Sequence, residues 1–334
     1  MNFHSLPGAA GAPTRPGRRP PPTLAHLAFA LLAAACGDDT APARPAPLVP
    51  APAPAPAPAA PSPSAPACVP VCAEGACPPG GCCPPPESVG ALRLPAHVTW
   101  TEFSFGPNGL NELEVVVDIE NDPGSGVGLY FAPIDSYIDD APMYLGLQTN
   151  LNRPKAGPVG KGFIFSQFGT LERAAIRTVP GGFFEQGTHE GDFVGVRLAR
   201  AWSPGRYVLR LARAEAEGEA DWFEYRVREE ATGDEFSVGA LRFARRQPGA
   251  PATIAPSVTS FTEVYSGAAG YDRVPGFRLG FRATGDGQAP LWASSEYPAF
   301  PWAEYPYSDQ WYEPSSGLIR VAFGAGTPRC HEAG

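Results

Sequence analysis

The sequence predicts an all-β protein: a two-sheet antiparallel β-sandwich beginning near residue 88, preceded by a disordered signal and stalk region. Three observations carry this expectation. Apolar and polar residues alternate with a period of two in several segments, glycine and proline punctuate the intervals, and no segment sustains a helical period. In "ELEVVVDIEND", Leu113, Val115, Val117 and Ile119 alternate with Glu112, Glu114, Asp118 and Glu120. The pattern recurs in "RYVLRLAR" (Tyr207, Leu209, Leu211), "WFEYRVR" (Phe223, Tyr225, Val227), "FRLGFR" (Phe277, Leu279, Phe281) and "IRVAF" (Ile319, Val321, Phe323). Successive strand side chains point to opposite faces, so each segment has one buried face and one wet face. "ARAEAEGEAD" has the best helical composition, but it joins two clear strands and reads equally as an acidic hairpin tip. About a dozen strands in one body fit a single sandwich of ordinary size.

The elements ahead of that body read as an address. Arg15, Arg18 and Arg19 precede an apolar run from Leu24 to Ala35 that stops at Cys36. Basic, then apolar, then small is the order of a secretion signal, and the run is shorter than the ~20 residues of a membrane span. Small residues directly before a cysteine resemble a bacterial lipoprotein cleavage box, with Cys36 as the lipidated first residue of the mature chain. Ala33 departs from that box, which usually has leucine there; the alternative is an ordinary signal and an incidental thiol. Residues 41 to 67 alternate proline and alanine, a composition that favours polyproline II and spans up to ~80 Å as a stalk. The chain thus divides into a signal (1–35), a stalk (36–67), a cysteine-rich segment (68–87), a sandwich (88–270) and an aromatic-rich extension of it (271–334).

Charge and cysteine usage narrow the partners. The chain carries 25 basic and 34 acidic residues, and its negative balance with no Lys/Arg patch argues against nucleic acid. Cys68, Cys72, Cys77, Cys82 and Cys83 crowd one segment, and Cys330 stands near the end. With Cys36 given to lipid, six thiols remain, the even number of a disulfide framework in an exported protein, although six cysteines permit 15 pairings. Five in one segment is odd, so one is expected to reach Cys330 and clasp the two ends of the body. A thiolate metal site is disfavoured because no histidine lies among these cysteines.

Three stretches carry candidate chemistry. "PGGFFEQGTHEGDFVGV" gathers Glu185, His189, Glu190 and Asp192. In an extended chain Glu185 and His189 face one way and Glu190 and Asp192 the other, so a catalytic or metal role needs the chain to turn at Gly187 and Gly191; otherwise these carboxylates belong to a structured loop feeding a strand. Phe193 stands where a second metal-binding histidine would complete a zinc motif. "VVVDIENDPGSG" places Asp118, Glu120 and Asp122 on one strand face, similar to the paired-carboxylate strand of jelly-roll glycosidases with residue types exchanged; the alternatives are a solvated face or a surface calcium site. "EYPAFPWAEYPYSDQWYEP" interleaves Tyr297, Phe300, Trp302, Tyr305, Tyr307, Trp311 and Tyr312 with prolines that exclude a central strand. Its rings either stack on sugars or cover the end of the sandwich. No G-x-S-x-G and no phosphate-cradling glycine loop occurs.

At "YLGLQTN", "GKGFIFSQFGT", "GTHEGDFVGVR" and "WSPGRYVLRLAR" the chain resembles the domain of unknown function family 3472 over about residues 97 to 266. That resemblance implies a concanavalin-like jelly roll and supplies no activity or site roles. The leading expectation is a non-catalytic, lipid-anchored protein of the bacterial cell envelope, held to the membrane through lipid on Cys36. It binds carbohydrate or another envelope polymer through Trp302, Tyr305 and Trp311, with Glu185 and Glu190 as hydroxyl partners and no cofactor other than an optional calcium. The rivals are a polysaccharide-cleaving enzyme and a structural or adhesive envelope protein.

Overall fold

The computed structural model describes residues 91–188, 191–297 and 305–331. In chain order the strands are β1 (Ala96–Ser104), β2 (Glu112–Ile119), β3 (Gly128–Ile138), β4 (Ala141–Arg153), β5 (Gly157–Phe168), β6 (Ile176–Thr178), β7 (Phe183–Gly187) and β8 (Phe193–Ala199). They continue as β9 (Gly205–Glu217), β10 (Ala220–Glu229), β11 (Glu235–Ala244), β12 (Ser257–Ser266), β13 (Phe277–Gly285), β14 (Trp292–Glu296), β15 (Ser308–Glu313) and β16 (Leu318–Phe323). Two eight-stranded sheets result, in the orders β14-β1-β12-β3-β4-β5-β8-β7 and β15-β16-β13-β2-β9-β10-β11-β6. The pairings are antiparallel throughout. The predicted sandwich is observed.

The alternating segments meet face to face. Leu113, Val115, Val117, Leu209, Leu211, Phe223, Tyr225 and Val227 from the second sheet are fully buried. They meet Phe131, Leu145, Phe163 and Phe165 from the first sheet within one continuous core. Phe131 lies 5.2 Å from Phe281, and Phe165 lies 6.1 Å from Phe243, ring centre to ring centre across the layers. Each such ring stabilises the fold by about 1.5–3 kcal/mol relative to an exposed one. The acidic segment at 212–221 is a hairpin: β9 runs to Glu217, Gly218 takes φ +58°, and β10 begins at Ala220. Strand β13, from the aromatic-rich extension, lies inside the second sheet between β2 and β16. Among its described residues, the proline-rich aromatic stretch contributes the last residue of β14 and all of β15, both edge strands.

One irregularity decides which side chains face out of the first sheet. The register of β3 against β4 shifts between Phe131 and Ile134, at Ala132–Pro133, where proline removes a ladder donor. Gly146 faces this bulge, and a Cβ there would lie 2.0 Å from the Phe131 carbonyl oxygen. The bulge reverses the parity of β3. Phe131 and Ile134 both point into the core, and Asp135 joins Tyr130 on the outer face.

Candidate functional site

The outer face of the first sheet carries the most unusual chemistry among the described residues. Strand pairing aligns one transverse row across it: Ser294, Glu102, Thr259, Asp135, Tyr144, Ser166, Gly195 and Glu185. Beside it, Tyr130, Ala132, Leu151, Ile164 and Phe261 form a second apolar cluster, packed against Trp100, Tyr144, Phe183 and Tyr265. At one side of that cluster His97 Nε2 stands 3.5 Å from Glu263 Oε1.

Asp135 is the perturbed carboxyl of this face. Burial among these rings pushes its carboxyl up from 3.8 to about 7, and the neighbouring His97 opposes the rise. A carboxyl that titrates near neutrality can both give and take a proton at physiological pH. Tyr130, 3% exposed, is held well above the ordinary phenol range by burial and then by Tyr144, and its hydroxyl has no hydrogen-bond partner among the described residues. At the far end of the row Glu185 Oε2 accepts from Arg197 Nε at 3.1 Å and lies 3.0 Å from Nη2. Arg197 also donates to Ser166 Oγ at 3.1 Å and to the Phe165 carbonyl at 3.5 Å. Gly195 makes room for this folded guanidinium, which a Cβ would approach to 2.5 Å.

The residues expected from sequence are distributed differently. Glu185 lies in β7 of a hairpin with β8, opposite Gly195, and its charge is taken by Arg197. Asp192 is exposed, and its carbonyl accepts from Gly169 N at 2.8 Å. His189, Glu190, Trp302, Cys36, Cys68, Cys72, Cys77, Cys82 and Cys83 lie outside the described residues. Cys330 is described and is disulfide-bonded. Tyr305 is 1% exposed and packs against Tyr271 and Phe323, so it presents no face to a ligand. Trp311 lies on β15 with His331 stacked on it, ring centres 5.0 Å apart.

Asp118 and Glu120 do not form a catalytic pair. Arg320 Nη1 donates to Asp118 Oδ2 at 3.1 Å and to Glu120 Oε1 at 3.0 Å, while Asp122 pairs with Lys161. Asp118 and Glu120 are thus neutralised by an arginine of β16, and Asp122, in the loop after β2, by a lysine of β5. No group of three potential metal-binding side chains converges among the described residues. Two clefts of about 250 and 150 Å³ lie away from Asp135. Ion pairs line both, Asp221 with Arg245 in the first and Arg210 with Glu112 in the second.

Asp135, His97, Glu263 and Tyr130 were not found by sequence reasoning. A signal existed in "APIDSYI", where Pro133 interrupts a strand and Ile134, Ser136 and Ile138 then set the inward parity, leaving Asp135 as the one acidic residue of the segment.

No family model matches the chain, and no curated protein matches it. Among solved structures, the chain is similar to scytalido-glutamic peptidase with a transition state analog inhibitor, at 8% identity and a TM-score of 0.38, over 70% of this chain and 100% of that one. It is also similar to SCP-B, a member of the eqolisin family of peptidases in complex with the tripeptide Ala-Ile-His, at 9% identity and a TM-score of 0.33, over 69% and 98%. Likeness at this level transfers no residue role. Both are described as peptidases, and neither description mentions carbohydrate. Tyr305 is closed off and Asp118 and Glu120 are ion-paired. The expectations of carbohydrate binding through Tyr305 and of a polysaccharide-cleaving carboxylate pair at Asp118 and Glu120 are corrected accordingly.

Proposed function

We propose that the outer face of the first sheet is an acid–base site that hydrolyses peptides, with Asp135 as its proton-transferring group. The observation that carries this reading is the Asp135 carboxyl, raised to about 7 and placed in the middle of a polar row that crosses the strands. Hydrolysis of an amide needs a proton for the leaving nitrogen, and a side chain with a pKa near the working pH supplies it best. The rings beside Asp135 suit apolar peptide side chains better than sugar faces, because they cover one another: His97 stacks on Phe261 at 5.0 Å and Trp100 on Phe261 at 5.8 Å. On this reading the body works outside the membrane, tethered by lipid on Cys36 and the stalk that follows it, and Cys330 links its end to the cysteine-rich segment.

The test is to incubate the protein with a library of capped peptides between pH 5 and 8 and to read new N-termini by mass spectrometry. Cleavage by the wild type that falls at least about 100-fold in Asp135→Asn is expected. No cleavage by the wild type, or equal cleavage by the variant, refutes the proposal.

A further inference from the structure

Asp135 is not alone in its row. Glu102 of β1 and Asp135 of β3 both pair with Thr259 of the intervening β12. All three side chains point outward, since their neighbours Phe103, Val258 and Ile134 are core residues. Two strand spacings separate the carboxyl-bearing Cα atoms by about 10 Å, with Thr259 between them. Glu102 is partly exposed, and Ser257 Oγ holds its Oε1 at 2.9 Å. A second, independent feature marks the same face as one that takes a ligand. The Tyr130 hydroxyl is buried without a hydrogen-bond partner among the described residues and feels the Asp135 charge. Leaving a buried donor unsatisfied costs about 1–3 kcal/mol, and a substrate carbonyl or its attendant water is the kind of group that satisfies it.

We infer that Glu102 is the second catalytic carboxyl of this face, the base that activates water opposite the acid Asp135 across Thr259. The inference rests on the peptide-hydrolysis reading and names its missing partner. Glu102 removes a proton from water as the water oxygen bonds to the carbonyl carbon. The carbon–nitrogen bond then breaks as Asp135 gives its proton to the leaving nitrogen. Carboxyl and amine products depart, and solvent carries the proton from Glu102 back to Asp135.

The experiment compares the pH profile of kcat/KM for wild type, Glu102→Gln, Glu102→Asp and Asp135→Asn, using a peptide that the wild type cleaves in the library screen. The wild type is expected to give a bell. Glu102→Gln should fall about 100-fold or more and lose the rising acidic limb, and Glu102→Asp should keep both limbs at reduced kcat. Melting temperatures of the two Glu102 variants should match the wild type, because the side chain is partly exposed and holds a single hydroxyl. Glu102→Gln within threefold of the wild type, or with both limbs intact, overturns the role of Glu102 and leaves that of Asp135 standing. A melting temperature that falls together with activity marks Glu102 as structural and overturns it too. A wild type that cleaves nothing defeats the peptidase reading itself and this inference with it.

Discussion

Replacing Asp135 by asparagine should make the protein more stable at pH 8 and leave it unchanged at pH 4. The folded carboxyl is raised from 3.8 to about 7, so the native state binds a proton more tightly than the unfolded chain. The stabilisation from that proton is complete below pH 3.8 and is lost as pH rises through 7. At about 1.4 kcal/mol per pH unit the interval sets an upper bound of about 4 kcal/mol. Asp135 is partly exposed rather than sealed, so water screening reduces the expected effect to about 2 kcal/mol. Asparagine has nearly the same shape and no charge to desolvate, and it should recover this amount at pH 8, a rise of roughly 4–8 °C in melting temperature for a body of this size. Urea unfolding of both proteins at pH 4, 6 and 8 measures it. Parallel pH dependences for the two proteins, or a carboxyl carbon resonance of Asp135 that titrates near 4, would refute the reasoning.

Two further perturbations test the frame that holds this face. Asp221, 1% exposed, accepts from Arg245 at 3.0 and 2.9 Å and from Ala252 N at 2.7 Å. These bonds, the Arg245 pair first, hold its carboxyl below the usual range. Asp221→Asn should therefore cost about 3–5 kcal/mol at pH 7, with the difference from wild type shrinking only as pH falls below 3.8, in the same urea series. Phe165→Ala removes a ring that is fully buried between the layers against Phe243; chemical denaturation should show a loss of about 3–5 kcal/mol with an unchanged denaturant slope.

The legible and the illegible parts of this protein separate along a physical line. The alternation in β2, β9, β10, β13 and β16 could be read directly, because a strand with one wet face writes its burial into its own residues. Glu185 was legible as a residue type in a glycine-rich stretch, but its partner Arg197 sits twelve positions on and meets it only through the β7–β8 register. Tyr305 shows the opposite error: an aromatic among prolines reads as a surface, yet it closes the core beside Phe323. Asp135 was missed because a bulge reversed the parity of its strand, which no period of two anticipates.

By itself, then, the sequence determined the all-β class, the inward faces of the regular strands and the net negative charge, since each follows from local composition and spacing. Tertiary structure alone decided that Glu102, Asp135, Tyr144, Ser166 and Thr259, spread between positions 102 and 259 of the chain, form one row on one face. The reason is that cross-strand register is set by the packing of many side chains and by single-residue bulges, whereas the chemistry of a carboxyl depends on the charges and rings that this register brings beside it.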